Sequence, residues 1–328
     1  MTRTLAGNRC EYLTITSKDK DPKSAKALAK KGVFVSARIH PGESNASWMM
    51  KGVIDFLVSN TPEAKALREH FVFKIVPILN PDGVINGNYR CSLSGQDLNR
   101  RWKTPSKILH PVVFAVKKFM RIFSKEREIV LYCDLHGHSR RKNIFMYGNN
   151  LKDTPHATRV FPYIMSKLCD FFSFEQSRFS MSKYKESTAR IAMFKELNIP
   201  NIFTMEASFC GADKGKYKDQ HFTTEYLMLA GRRLLESLIV YCKIDVHQSI
   251  KQIKPNADDE KKEGNDTGEL YNITAKDLQK ELMANKKLMA LTTGRDDGES
   301  SGSDSEPSAD NLDEEEMASV IPIKEAKR

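Results

Sequence analysis

The feature that most constrains the fold of this chain is a regular alternation, over its first 245 residues, of short strand-like runs with longer segments of helical period. The runs are rich in β-branched and aromatic residues, and the segments between them repeat apolar residues every three or four positions, as at Leu227, Ala230 and Leu234. Strands that alternate with helices predict an α/β fold, with a mixed central sheet that carries helices on both faces. The predicted strands are 12–16, 33–39, 71–78, 129–133, 143–147 and 201–205, and the predicted helices are 45–58, 111–123, 159–171, 189–196 and 224–241.

The net charge changes sign where this alternation stops. Residues 1–250 carry a net charge of +17, whereas residues 251–328 contain 12 basic and 19 acidic side chains and carry −7. The second part has too few large apolar side chains to offset the entropy cost of ordering it. We therefore expect a folded domain at 1–246 and a largely disordered, acidic C-terminal tail at 247–328.

One helix is predicted inside this tail, at 274–290. Thr274 and Asp277 have the spacing of a capping box, and Leu278 and Leu282 would share one face of the helix. The composition of the surrounding chain favours a transient, solvated helix over a segment that docks on a specific surface.

Composition and motif content exclude several classes of protein. The mean hydropathy is −0.49, no apolar run approaches the ~18 residues of a membrane span, and the N-terminus lacks the apolar centre of a signal peptide. The six cysteines include no Cys-x-x-Cys pair, which favours a reducing compartment over a disulfide framework. The positive region would attract a polyanion. No zinc-finger spacing, RNP-like aromatic run or Gly-x-x-Gly clamp supports nucleic acid, and an acidic protein remains the other candidate partner.

Candidate metal ligands follow two of the predicted strands. His40 and Glu43 are separated by a turn-forming Pro-Gly after the second strand, and His136 follows the fourth. Because ligands gather at the carboxyl ends of the strands in open α/β sheets, we expect these side chains to lie close together. Two histidines and one glutamate are the ligand set of a catalytic zinc that keeps a fourth position for water.

The predicted strand 201–205 is followed directly by Glu206, in otherwise weakly polar sequence. A carboxylate at this place could take a proton from the water of a metal site. The alternative is a glutamate at the rim of the sheet, or a salt-bridge partner.

Six motifs, in order along residues 1–245, resemble the zinc metallocarboxypeptidases. The most similar branch is that of the cytosolic carboxypeptidases, which remove glutamates from polyglutamylated or glutamate-ended proteins such as tubulin. The motifs are His40-Pro-Gly-Glu43, Asn80-Pro-Asp-Gly-Val84, Asn88-Tyr-Arg-Cys91, Asp97-Leu-Asn-Arg100, Asp134-Leu-His-Gly-His138 and Met205-Glu-Ala-Ser-Phe-Cys-Gly211.

The resemblance implies a zinc site, with one Zn²⁺ per chain. It makes His40, Glu43 and His136 the zinc ligands and Glu206 the general base. Asp97 would be the carboxylate behind His40, orienting a ring that binds metal through its other nitrogen.

The resemblance also implies how a substrate is held. Arg90 would polarise the scissile carbonyl, and Asn99 with Arg100 would bind the terminal carboxylate, which a planar guanidinium recognises through two parallel bonds. The alternative for Arg100 is an ordinary surface arginine beside Arg101.

Two further positions follow from the family's spacing to Glu206. Tyr184, 22 residues earlier, matches the family's mobile tyrosine, and Arg190, 16 residues earlier, lies within one position of the site that sets side-chain preference. Because a buried unpaired arginine is costly, Arg190 there implies an acidic guest, and glutamate specificity follows as a hypothesis. The alternative is an exposed helical arginine. The basic run 139–142 either adds positive charge near the same strand end or is a solvated loop.

By resemblance, the expected enzyme is a zinc-dependent metallocarboxypeptidase that hydrolyses C-terminal or side-chain-linked glutamates. Its expected partners are acidic protein C-termini or polyglutamate side chains, tubulin among them, and neither a membrane nor a nucleic acid. The expected location is the cytoplasm, in association with the cytoskeleton or cilia. Since cytosolic members usually carry a β-rich domain ahead of the catalytic one and the motifs here begin almost at Met1, we expect that upstream domain to be absent.

Two alternatives remain from the sequence. One keeps the metal site but changes the reaction to deacylation of small acylated amino acids, as in amidohydrolases that share this fold. The other is a catalytically silent module that binds acidic tails.

Overall fold

The computed structural model of the chain describes residues 1–246 and 274–293, and the rest of the predicted tail lies outside the described residues. The strands are β1 (Thr2–Arg3), β2 (Arg9–Cys10), β3 (Leu13–Ile15), β4 (Lys31–Ala37), β5 (Phe71–Val76), β6 (Ile129–His138), β7 (Ile144–Tyr147) and β8 (Ile202–Ser208). The helices are α1 (Ala25–Ala29), α2 (Ser44–Val58), α3 (Pro62–His70), α4 (Pro81–Asn86), α5 (Pro111–Glu126), α6 (Val160–Leu168), α7 (Ala189–Leu197), α8 (Thr224–Cys242), α9 (Ala275–Ala284) and α10 (Lys286–Leu291).

Six strands form one mixed sheet in the order β3-β5-β4-β6-β8-β7. The four central strands are parallel to one another, and the edge strands β3 and β7 are antiparallel to their neighbours. This arrangement confirms the predicted α/β fold with a mixed central sheet. In the described part of the chain, no helix is both long and apolar enough to cross a bilayer.

The two faces of the sheet pack against different helices. Successive residues of a strand point to opposite faces, so Val35 reaches the core under α2, α6 and α8, whereas Phe34 and Tyr132 reach the core under α5 and α7. On this second face, the alternate residues that follow along β6 are Asp134 and His136, both buried. The face of the sheet that packs under α5 and α7 is therefore apolar in its middle and polar near the carboxyl ends of the strands, where the site lies.

Two strands run further than their sequence pattern predicts. β6 was predicted to end at 133 and reaches His138, and β8 was predicted to end at 205 and reaches Ser208. The two strands stay paired to their ends. Their last residues are polar, which breaks the apolar pattern without breaking the ladder. His136 and Glu206 thus lie inside strands rather than beyond them.

The Asn80-Pro-Asp-Gly motif, which is rich in turn-forming residues, begins helix α4. The Asn80 side chain accepts a hydrogen bond from the Gly83 amide, and Pro81 occupies the first turn, where its missing N–H costs nothing. Gly87 then ends the helix in the left-handed region, at a φ of 76°.

The predicted helix 274–290 is a pair of helices, α9 and α10, capped by Thr274 and Asn285. Leu278 and Leu282 share a face as predicted, but they are buried in the core that includes α6 and α8. The expected solvated helix is therefore wrong for this segment. The sequence of α9 does not reveal that a complementary apolar surface exists elsewhere in the fold.

Candidate active site

The loop that carries His40 and Glu43 is held by main-chain contacts from two directions. Arg38, at a φ of 58°, directs its guanidinium onto the Pro41 carbonyl, with an Nε–O distance of 3.0 Å. The Gly42 amide donates to the Tyr89 carbonyl at 2.8 Å. These bonds fix the short turn that brings both side chains of the motif to one side.

Sheet register brings the other two residues of the site together. His136 of β6 and Glu206 of β8 are direct partners in the parallel ladder, so their side chains point to the same face. Ser36 of β4 and Asp134 of β6 are also partners on that face. A strand-by-strand arrangement therefore places hydroxyl, carboxylate and imidazole groups side by side.

His40, Glu43 and His136 form a compact cluster with candidate ligand atoms all within 4.8 Å of one another. The Nδ1 atom of His40 lies 2.7 Å from Glu43 Oε1, and the Nδ1 atom of His136 lies 2.9 Å from Glu43 Oε2. All three side chains are buried. The cluster brings together the three ligands that the sequence predicted from two distant segments.

Each of the two imidazoles has a second carboxylate behind it. His40 Nε2 lies 3.0 Å from Asp97 Oδ1, and His136 Nε2 lies 2.9 Å from Asp134 Oδ2. A neutral imidazole carries one N–H and can donate to one of its two carboxylates only. A cation between the Nδ1 atoms and Glu43 would satisfy all of these groups at once, so the donor set fits a zinc ion.

The charges of the cluster stabilise one another against burial. Burial raises the pKa of Glu43, but the attraction of His40 and His136 outweighs it and leaves that pKa well below the usual range. Burial lowers the pKa of His136, and the attraction of Asp134 and Glu43 reverses this and leaves it raised. Such strongly interacting, buried groups in one place are typical of a functional site.

Glu206 is a buried carboxyl group beside the cluster. Among the described residues its Oε2 atom has no hydrogen-bond partner, and the atom is inaccessible to solvent. Burial raises its pKa to about 8, since the attraction of His136 is opposed by the repulsion of Glu43. A buried carboxyl group with a free oxygen, next to candidate metal ligands, is a good candidate for proton transfer.

The guanidinium groups of Arg90 and Arg100 and the main-chain amide of Asn99 converge on Asp97. Arg90 pairs with Asp97 Oδ2 through Nε at 2.9 Å and Nη2 at 2.7 Å, and Arg100 Nη1 lies 4.0 Å from the same oxygen. The Asn99 side-chain oxygen accepts the Ala189 amide at 2.9 Å. That bond directs the Asn99 amide group, which can donate, away from Ala189.

Arg190 and Tyr184 lie in very different surroundings. Arg190 is buried, and its Nη1 atom donates to the Gly148 and Ser180 carbonyls and to Asn149 Oδ1. Arg190 is therefore no exposed helical arginine, although it lies in α7 as expected. Tyr184 is 89% exposed, in a short 3₁₀ turn at Lys183–Lys185.

The basic run 139–142 follows β6 as an irregular turn. Arg140 and Arg141 donate their main-chain amides to the ring of His138. Arg141 also donates to the Gln176 carbonyl at 3.2 Å. The run thus combines structural bonds with exposed positive charge at the end of the strand that carries His136.

Asp134 and Ser36 are site residues that the sequence reasoning did not assign. Ser36 Oγ donates to Asp134 Oδ1 at 2.7 Å, and Asp134 in turn holds His136. A signal was present, because an aspartate two residues before a histidine in a strand lies on the same face. Ser36 had no such signal, since its pairing with Asp134 depends on the register between β4 and β6.

The zinc carboxypeptidase family profile matches residues 1–226 of the chain. Cytosolic carboxypeptidase 2 of Mus musculus is 49% identical over 247 residues, which are 74% of this chain and 28% of that protein. Cytosolic carboxypeptidase 3 of Bos taurus is 46% identical over 258 residues, 76% of this chain and 25% of that protein. Cytosolic carboxypeptidase 1 of Homo sapiens is 43% identical over 255 residues, 72% of this chain and 21% of that protein. The chain spans about a quarter of the length of these relatives.

Solved structures show the same fold. A metallo-carboxypeptidase from Burkholderia cenocepacia superposes with a TM-score of 0.63 at 24% identity, covering 73% of this chain and 62% of that one. A metallo-carboxypeptidase from Pseudomonas aeruginosa, in complex with (2-guanidinoethylmercapto)succinic acid, gives a TM-score of 0.62 at 24% identity and covers 74% and 63% of the two chains.

Proposed function

Because this chain belongs to the zinc carboxypeptidase family, we propose that it is a zinc-dependent carboxypeptidase that releases glutamate from the C-termini or glutamylated side chains of acidic proteins. The observation that carries the proposal is the convergence of His40, Glu43 and His136, with Glu206 buried beside them and its Oε2 atom unpaired among the residues that the structure describes. In this proposal, one zinc ion binds each chain at those three side chains. Residues 1–246 form the catalytic domain.

The reaction is hydrolysis of an amide bond. Zinc bound at this cluster would supply a Lewis acid that activates water, polarises the substrate carbonyl and favours the ionised form of a neighbouring carboxylate. Glu206 takes a proton from the attacking water and delivers it to the departing amine, so that one carboxylate acts first as base and then as acid. Asp97 and Asp134 hold the two imidazoles in the orientation that directs Nδ1 toward Glu43.

The substrate is recognised by its negative charges. Asn99 and Arg100 bind the terminal carboxylate, and Arg90 stabilises the charge that develops on the carbonyl oxygen. Arg190 binds the side-chain carboxylate of the terminal glutamate, and Tyr184, now exposed, is the mobile residue that covers the bound substrate. The burial of Arg190 supports this assignment, because a buried guanidinium gains from an anionic guest.

The proposed substrates are acidic proteins of the cytoplasm, with polyglutamylated tubulin as one candidate. The net charge of +17 on residues 1–250 would attract such chains over a distance and accelerate their encounter. The relatives are named cytosolic carboxypeptidases, which supports a cytoplasmic location. Association with the cytoskeleton or cilia would follow from a tubulin substrate.

The test is mass spectrometry of a glutamate-ended peptide incubated with the purified protein, with and without a chelator. We expect stepwise loss of glutamate that the chelator stops, and Glu206→Gln should reduce turnover by about 10²- to 10⁴-fold while zinc stays bound. Glu225→Gln, an exposed glutamate at the start of α8, is the matched control and should stay active. A Glu206→Gln protein with full activity, or a zinc-loaded protein that binds the peptide without cleaving it, would contradict the proposal.

A further inference from the structure

Helices α9 and α10 lie outside the part of the chain that matches the family, yet they are packed into the folded body. Leu278 and Leu282 are buried in the core shared with α6 and α8. Glu281 accepts a hydrogen bond from Tyr163 Oη at 2.6 Å and pairs with Lys167 Nζ at 2.9 Å, both on α6. Apolar burial and a charged contact on the same helix indicate a defined docking position.

The end of this segment reaches into the interior at Thr292, which is 0% exposed. The Thr292 hydroxyl accepts a hydrogen bond from Arg159 Nε at 2.9 Å, and the Thr292 carbonyl accepts the Phe179 amide at 3.3 Å. The Arg159 guanidinium lies over the Phe179 ring, 4.5 Å from its centroid. Thr292 therefore hydrogen-bonds both Arg159 and Phe179, which also contact each other.

Arg159 makes this contact costly to lose. It is fully buried, and within residues 1–246 and 274–293 it forms no ion pair. Its Nη1 atom donates to Asn150 Oδ1 and to the Pro155 carbonyl, while Nη2 has no hydrogen-bond partner in the described part of the chain. Each hydrogen bond that a buried charge keeps offsets part of the cost of removing it from water. The bond from Arg159 to Thr292 therefore stabilises the packing of Thr292 against Arg159.

Phe179 links Thr292 to the residues that hydrogen-bond Arg190. Its ring packs on Gly148 so closely that a Cβ atom at that glycine would lie 2.5 Å from Phe179 Cδ1. The Gly148 carbonyl and the Ser180 carbonyl, next in the chain to Phe179, both accept hydrogen bonds from Arg190 Nη1. Two of the groups that position the Arg190 guanidinium are thus placed by the residue that Thr292 anchors.

We propose that residues 274–293 form an intramolecular brace, defined as α9, α10 and Thr292, that positions Arg190 through Phe179 and thereby sets the preference for a terminal glutamate. Thr292, Arg159 and Phe179 are positioning residues, since they act on Arg190 and not on substrate. The effect on preference rests on the proposed function, whereas the effect on the position of Phe179 does not.

Two threonines allow a matched experiment in the full chain. Thr292→Val keeps the shape of the side chain but removes the acceptor for Arg159, and Thr293→Val makes the same change at a neighbouring exposed residue. We expect Thr292→Val to accelerate hydrogen exchange of the Phe179 amide and to lower the ratio of kcat/KM for glutamate-ended over glutamine-ended peptides by about fivefold. Thr293→Val should change neither, and Thr292→Ser should restore both.

A second variant guards against a general loss of stability. Glu281→Ala removes the contact with Tyr163 and Lys167 at the far end of the brace and should produce the same changes more weakly. Exchange of amides in β4 should stay constant in every variant.

Unchanged exchange at Phe179 in Thr292→Val would overturn the brace. An active wild-type enzyme whose peptide preference is the same in Thr292→Val would overturn its role in specificity. A wild-type protein without glutamate release would instead contradict the proposed function, and the exchange result would still test the brace.

Discussion

The two histidines of the site have the same arrangement but opposite surroundings. Each directs Nδ1 to Glu43 and Nε2 to an aspartate. Asp97, behind His40, is 16% exposed in its side chain and is neutralised by Arg90 at 2.7 Å. Asp134, behind His136, is 2% exposed, and within the described residues its other side-chain partner is the neutral hydroxyl of Ser36.

This difference indicates that the surroundings of Asp97 and those of Asp134 have different roles. The Asp97 side is open and already carries arginines, so it can combine support of His40 with binding of an anionic substrate. The Asp134 side is sealed, and among the described residues no arginine pairs with that carboxylate. Its charge acts in a medium of low dielectric, where its influence on a neighbouring cation is stronger.

The largest effect is expected at the residue that joins the two sides. Glu43→Gln removes the negative charge shared by both imidazoles, so zinc affinity should fall by more than about 100-fold, beyond the usual cost of losing an outer carboxylate. Competition with a chromophoric chelator measures this, with Glu225→Gln as the control. A loss within tenfold would mean that the two histidines do not depend on Glu43.

The sealed side should be more sensitive than the open one. Asp134→Asn should weaken zinc binding by about 100-fold, the upper end of the effect of an outer carboxylate, because little solvent screens the lost charge. Asp153→Asn, at an exposed aspartate, is the control. At saturating zinc, the Asp134 variant should recover most of its kcat/KM, since Arg90 and Arg100 are untouched.

At the Asp97 side we expect the opposite result, with a smaller loss of zinc affinity and a larger loss of kcat/KM. Asp97→Asn should weaken zinc binding by only about tenfold, yet its kcat/KM should stay low at saturating zinc, because Arg90 loses its ion pair. The comparison between the two sides would fail if Asp97→Asn and Asp134→Asn gave the same zinc affinity and the same recovery.

The smallest effect is expected at Ser36. Ser36→Ala removes one hydrogen bond to the buried Asp134 carboxylate and should weaken zinc binding by about fivefold, equivalent to about 1 kcal/mol. Chelator competition measures the change, and Ser124→Ala is the control, at a half-buried serine of α5 whose hydroxyl donates to the Arg121 carbonyl. An unchanged affinity would show that Asp134 holds His136 without help from Ser36.

Local patterns predicted the elements of this fold well where apolar periodicity was uninterrupted. The helix predicted at 111–123 is α5, and the strand predicted at 143–147 is β7. Prediction failed where local signals conflicted. Helix α3 was missed although Thr61 caps it and Pro62 opens it, because its sequence is mostly polar. Strand β6 was cut short, because its last residues serve the site instead of an apolar core.

For the site, residue type and position at the ends of predicted strands were enough to select His40, Glu43 and His136 as a candidate cluster, and the structure brings them together. Their proposed roles, and those of Glu206, Arg90, Asn99, Arg100, Tyr184 and Arg190, stay predictions for the experiments above. Only the family resemblance indicated that Asp97 lies behind His40. No partner was predicted for His136, although Asp134 lies two residues away.

The sequence by itself determined which side chains are available for chemistry and the α/β class of the fold, because residue type, spacing and periodicity are local properties. Only the tertiary structure decided that Ser36 meets Asp134, that His136 lies beside Glu206, and that Thr292 reaches Phe179. Those contacts depend on the register between strands and on the packing of distant helices. Register and packing are set by the burial of whole surfaces, which no short stretch of chain specifies alone.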